Sequence, residues 1–237
     1  MFLFKSIVIS ERVTIGSIQH LAPIVLVAVL AFLLIPYSKK YLDKQQQYLV
    51  FKGIGCLVSL MVISYHIWKI LSGNYNFSTD LPLFLCSFLA LIIPVFSFYR
   101  KFWMYEVLLF IIIAGTTQGV ITPDIPEGFP SFDYFRYWTV HLGLLLVIFY
   151  ATFVFRMRPT FKSVFKAFLA LQIYAIVVLL LNWLLNANYS YLSKKPESAS
   201  ALDFFHDWPY YILELELIVL PYFLLIYGVF YVFRAKN

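Results

Sequence analysis

Cys86, His141, Glu214 and Glu216 are the side chains in this sequence best suited to covalent chemistry. A thiol, an imidazole and a carboxylate can serve as nucleophile, general base and orienter of the base. Glu214 and Glu216 are two residues apart, about 200° around a helix, so at most one can face the imidazole. The amides of Gln118 and Asn182 are donors suited to the oxyanion of a tetrahedral intermediate. Each of these residues also has a plainer use. His141 can bond a neighbouring backbone carbonyl, the amides can bridge helices, and a lone membrane cysteine is often apolar filler.

The elements that must position these residues are membrane helices. Of the 237 residues 62% are hydrophobic and 13% charged, with a mean hydropathy of +0.83. A soluble domain carries roughly 25% charged residues. Seven apolar segments are expected to be helical, at about 20–37, 49–71, 81–99, 103–121, 134–155, 161–187 and 209–233. Segments of this length cross a ~30 Å hydrocarbon core, and helices satisfy their backbone groups internally in lipid. The expected fold is therefore all-α, a single polytopic seven-transmembrane helix bundle. No secretory signal peptide is apparent, because the apolar start is broken by Glu11 and Arg12.

The net charge of +6 does not point to nucleic acid, because 12 of the 18 Lys and Arg lie in loops on one side. These are Lys39, Lys40, Lys44, Lys52, Arg100, Lys101, Arg156, Arg158, Lys162, Lys166, Arg234 and Lys236. Lys5, Arg12, Lys69, Arg136, Lys194 and Lys195 lie on the other, more acidic side, which includes Glu197. An excess of basic residues marks cytoplasmic loops. The expectation is an outer N-terminus and a cytoplasmic C-terminus, in a multi-pass protein of the plasma (inner) membrane.

In that topology six or seven helices bring a polar group to the outer third. Cys86 lies about 8 Å below the outer boundary and His141 about 10 Å, with His66 and Asn182 at similar depth. His20, Asn186 and Asn188 lie nearer the edge, and Trp138 and Trp208 belong to the outer aromatic belt. Ionisable groups at such depth usually face a bundle interior or a wet cavity. These residues are expected to line a substrate pocket that opens outward, with membrane lipid as partner. No metal site is expected, since no His or Cys pair has i, i+4 spacing. Nothing specifies a haem, flavin or nucleotide cofactor. Cys56 and Cys86 are separated by roughly 12 Å along the normal, too far for a disulfide.

Several stretches carry a resemblance: "IQHL" at 18–21, "LPLFLCS" at 81–87, "GTTQGVITPDIPEGFPSF" at 115–132, "WTVHLG" at 138–143, "LNANYSYLSKKP" at 185–196 and "SALDFFHDWPYYI" at 200–212. With them the chain resembles the YwaF-like family of bacterial seven-helix membrane proteins. That family is similar to a eukaryotic transmembrane protein that moves fatty acyl chains between glycerophospholipids through a cysteine acyl intermediate. The resemblance implies acyl transfer, with Cys86 as the acylated residue. Many bacterial relatives carry histidine two residues before this cysteine. This chain has Phe84 there, which leaves His141 as the partner. The same pocket would also suit a lipid- or ligand-binding protein without chemistry, or a transporter.

Overall fold

The fold is that of a computed structural model, which describes residues 11–196 and 200–234, apart from the side chains of 233 and 234. Lys5, Glu197 and Lys236 lie outside the described residues, as does the side chain of Arg234. Among the described residues the chain is all helical. The long helices are α1 (Ile18–Tyr41), α2 (Lys44–Leu71), α3 (Leu85–Tyr99), α4 (Phe102–Ile121), α5 (Phe132–Phe153), α6 (Phe161–Leu185) and α7 (Tyr210–Arg234). Six are long and apolar enough to cross a membrane, and α3 is a shorter apolar helix of 15 residues.

Local chemistry sets the boundaries. Ser17 caps α1, which begins at 18 rather than 20. Asp43 and Gln46 form a reciprocal capping box, so α2 starts five residues before the expected 49. Helix α6 stops at Leu185 because Asn186 takes the left-handed conformation at φ 48°. The correction that bears on the site concerns the third apolar segment. Residues 81–84 are not helical, and Pro82 lies among them. The Leu83 carbonyl accepts from the hydroxyls of Tyr174 and Ser190 instead of from the amide of Ser87. Cys86 therefore sits in the first turn of α3, not six residues into a helix.

Helix α5 is the central rod. Of its apolar window 67% is buried, against 50% for α4 and 6% for α1. Helices α1, α2, α3 and α4 all pack on α5, while α6 leans on α4 and α7 on α6. Ala90 and Ile93 of α3, Leu109 and Ile112 of α4, and Leu144 and Val147 of α5 form one continuous core with Phe51 of α2. Large apolar side chains such as Leu26, Phe32, Leu169 and Leu217 stay exposed on the outer helices, as a hydrocarbon solvent would allow.

Helix α4 is irregular without any proline. Residues Ile112–Thr116 form a π-helical turn between two α-helical stretches. The wide turn holds Gly115 and Thr116, and such bulges recur at functional sites. At the opposite end of α4 the buried carboxylate of Glu106 accepts from Ser163 Oγ at 2.7 Å and Lys166 Nζ at 2.6 Å. Beside it Tyr105 donates to the Met157 carbonyl at 3.0 Å, and Arg158 donates to the Thr152 carbonyl at 2.6 Å. These bonds tie α4 to the α5–α6 connection.

Candidate functional site

The end of the bundle that bears the 72–84, 122–131, 186–196 and 200–209 segments holds the candidate site. Its centre is the meeting of the first turn of α3 with the π turn of α4. Cys86 is half-buried there, with Sγ 3.7 Å from the hydroxyl of buried Thr116. The first four amides of a helix lack partners within it. At α3 the Leu85 amide donates to Ser190 Oγ at 3.1 Å and the Phe88 amide to the Phe84 carbonyl at 2.9 Å. Between them, the amides of Cys86 and Ser87 have no acceptor among the described residues. The thiol thus stands beside two unsatisfied N–H donors at the positive end of a helix dipole.

His141 is buried on α5, and its Nδ1–H donates to the Tyr137 carbonyl at 2.8 Å, one turn back. That bond leaves Nε2 as the acceptor of a neutral ring. The imidazole stacks on the Tyr137 ring with centroids 4.0 Å apart. Its free edge abuts Gly119, where an added Cβ would lie 2.7 Å from both Cδ2 and Nε2. Only glycine admits the ring so close. Thr116 and Gly119 are three residues apart on α4, hence on one face. The thiol and the imidazole therefore address neighbouring turns of the same helix, without a direct hydrogen bond between them.

The expected acid does not reach this pair. Glu214 is bonded by His206, through the ring and through the amide at 3.0 Å. Glu216 accepts from Gln172 of α6. Neither carboxylate bonds His141, because α7 packs on α6 at the edge of the bundle and α5 lies at its centre. The Tyr137 carbonyl fills the orienting position.

The other expected residues are mostly committed to holding the loops. Gln118 is exposed and donates to Thr122 of its own chain turn at 2.9 Å. Asn182 is buried and pairs with both backbone groups of Tyr189, at 3.0 and 2.8 Å. Neither amide faces Cys86 as an oxyanion donor. Asn186 ends α6, and Asn188 accepts from the amides of Ser193 and Lys194. His20 is saturated, since Nδ1 accepts from Gly16 and Nε2–H donates to the Val120 carbonyl, both at 2.8 Å. His20 stacks on Trp138, whose buried indole N–H has no acceptor among the described residues. His66 meets the Tyr75 hydroxyl at 3.4 Å, in the 72–84 segment. Trp208 is exposed and donates to the Leu192 carbonyl at 3.1 Å.

Residues that the spacing argument passed over complete the site. Ser190 and Tyr174 lie 2.5 Å apart above the start of α3. Tyr191 packs on Phe84 and donates to Asp124 Oδ2 at 2.8 Å, while Arg12 holds the other carboxylate oxygen at 2.5 Å. Burial and the Asp124 carboxylate push the Tyr191 hydroxyl well above the usual range for tyrosine. Tyr137 donates to the Gly119 carbonyl at 2.8 Å. With 18 tyrosines in the chain, no single one carried a signal in the sequence.

The family model for the TMEM164 family matches residues 15–227. The chain belongs to the TMEM164 family. Neither a curated protein nor a solved structure matches it. The matched region of this TMEM164-family membrane protein takes in every helix-borne site residue, from His20 to Glu216. Among the described residues of this family member no cluster of His, Cys, Asp and Glu could hold a metal ion.

Proposed function

We propose that this TMEM164-family protein is a membrane-embedded lipid acyltransferase that works through a thioester on Cys86. The observation that carries the reading is the placement of the Cys86 thiol in a helix first turn, beside two unpaired amides and Thr116. Such amides are suited to the charge that develops on a carbonyl oxygen under attack. The thiolate attacks the ester carbonyl of a glycerophospholipid. A C–S bond forms, the ester C–O bond breaks, and the leaving lipid oxygen takes the proton that the thiol gave to His141. In the second half a lysolipid hydroxyl passes its proton to His141 and attacks the thioester, which returns the thiol. Water in place of the lysolipid makes the same site a hydrolase.

In this reading the chain crosses the membrane seven times, with α3 as the shortest crossing. At 1.5 Å per residue, its 15 residues cover about 22 Å, and residues 81–84 fill the remaining depth as a non-helical cap. With the basic loops in the cytoplasm, the site opens to the outer leaflet of the plasma (inner) membrane. The resemblance to the YwaF-like bacterial family fits the same topology. A second reading, lipid binding without chemistry, is favoured by the lack of a direct Cys86–His141 bond. The Cys86→Ala protein separates the two. Transfer predicts that acyl exchange between labelled phospholipid and lysolipid in reconstituted vesicles is lost, at unchanged lipid binding. Exchange that persists at the native rate rules out the thioester.

A further inference from the structure

The bundle treats its cations differently at its two ends. At the end that holds the candidate site, Arg12, Lys69, Arg136 and Lys195 each meet a carboxylate. At the opposite end the described residues include ten basic side chains against two carboxylates, Asp43 and Glu106. Only Lys166 is ion-paired there, to Glu106. Asp43 is exposed and caps α2, where it accepts from the Gln46 amide.

Part of this surplus is fixed in place on the seam between α2 and α3. The Arg100 guanidinium lies 3.4 Å from the centre of the Tyr48 ring. One turn along α2, Lys52 Nζ lies 5.0 Å from the centre of the Phe98 ring. Tyr48 packs in turn on Phe155, with centroids 5.3 Å apart, and Arg156 follows Phe155. Lys101 follows Arg100 in the turn between α3 and α4. The Arg100 side chain has no hydrogen-bond acceptor among the described residues, and its Nε is buried. The amides of Phe102 and Trp103, in the first turn of α4, lack acceptors there as well.

The backbone singles out the arginines. Arg100 has φ 50° and Arg156 φ 56°, the left-handed conformation that glycine takes at least cost. They are the two non-glycine residues of this kind at this end among the described residues. Glycine would serve either turn better, so the reason for arginine lies in its side chain. The stretch "YRKFW" at 99–103 brackets the two cations with exposed Tyr99, Phe102 and Trp103. Aromatic and basic residues gather in this way where helices end at the level of the headgroups.

We infer that Arg100, with Lys52, Lys101 and Arg156 around it, binds the phosphate of an anionic phospholipid headgroup in the leaflet at this end of the bundle. Three points select this occupant. No carboxylate pairs with these four cations, so their charge is left for a ligand. At headgroup level the abundant anion is lipid phosphate, which a guanidinium stacked on a ring can grip with two parallel bonds. A zwitterionic headgroup brings its own cation, so a cluster of unpaired positive charge favours a lipid with net negative charge. The site lies at the far end of α3 from Cys86, about 20 Å away, and does not depend on any reaction there.

The test uses the full chain in symmetric vesicles, where the direction of insertion does not matter. Trp103 is the reporter, because Trp68, Trp138, Trp183 and Trp208 lie toward the other end of their helices or in its loops. Its signal is the fluorescence lost in Trp103→Phe. Quenching by dibrominated phosphatidylglycerol is compared with quenching by dibrominated phosphatidylcholine at the same mole fraction. Phosphatidylglycerol is expected to bind about fivefold more tightly. Arg100→Gly should bring that ratio near one while the unfolding midpoint stays close to native, since glycine suits the turn. Removing two cations from the edge of the bundle, with Lys39→Gln and Lys40→Gln together, should leave the ratio within about twofold of native. The native chain gives an independent reading. Raising salt from about 0.1 to 1 M shortens the screening length from about 10 to 3 Å and should at least halve the ratio.

Equal quenching by the two lipids in the native chain overturns the site, as does a ratio that salt leaves unchanged. A preference that survives Arg100→Gly overturns it too. So does one lost equally in the Lys39 and Lys40 variant, which would mean a diffuse field. If inorganic phosphate displaces phosphatidylglycerol where chloride at equal ionic strength does not, the occupant is a soluble anion and the lipid assignment falls.

Discussion

The two ends of α4 treat buried polar groups in opposite ways. At one end the Glu106 carboxylate is surrounded by donors from Ser163, Lys166 and Thr160. At the other, the π turn faces a thiol with one weak hydroxyl contact, an imidazole with a free nitrogen, and two amides without acceptors. Saturated groups hold helices together and have nothing left for a ligand. Groups left unsatisfied in a low-dielectric site are costly, and they become useful when a substrate completes them. The difference teaches where to expect stability and where to expect chemistry along one helix.

That contrast can be broken by substitution. The largest effect is expected for His141→Ala, which removes the proton acceptor. Acyl exchange should fall by about 10²–10⁴-fold while the unfolding midpoint in detergent stays close to native. A large drop in stability at unchanged exchange would place His141 with the structural residues instead. Glu106→Ala should do the opposite. It strands Ser163 and Lys166 and should cost about 2–3 kcal/mol, less than a fully enclosed pair because the lysine side chain is half-exposed. Denaturant titration reads this directly, and activity per folded molecule should hold.

Gly119→Ala sharpens the comparison, since its new methyl group meets the free edge of His141. Moving the ring should slow exchange by about tenfold, with a stability loss nearer 1 kcal/mol. The mildest effect concerns alkaline pH. Tyr191 keeps its proton in the folded state above the pH where an unfolded tyrosine loses it, near 10. Above that pH the unfolded chain binds fewer protons than the folded one, so stability falls as pH rises. Tyr191→Phe should flatten this part of the profile between pH 10 and 11, and an unchanged slope would mean that the hydroxyl is not enclosed.

Much of the architecture was legible from composition. Long apolar runs become helices in lipid for want of any other backbone partner, so six of the expected segments appear as helices within a few residues. Boundaries were less legible where a cap or a proline, rather than hydropathy, ends a helix, as at Asp43, Pro82 and Asn186. Depth arithmetic set Cys86, His141, His66 and Asn182 at similar levels, but depth leaves rotation about each helix axis open. Rotation turned Gln118 outward and aimed Asn182 at the Tyr189 peptide.

The sequence by itself determined that this is a helical membrane protein with its polar side chains gathered toward one end of the bundle. Hydropathy and charge are properties of residues in order, and they need no contact to act. Only the tertiary structure decided which of those side chains meet. Helix α7 was set at the edge, so Glu214 and Glu216 found His206 and Gln172 instead of His141. The π turn of α4 brought Thr116 to Cys86 and Gly119 to His141. Which faces touch depends on how whole helices pack, and that is a sum over many weak contacts which no local spacing contains.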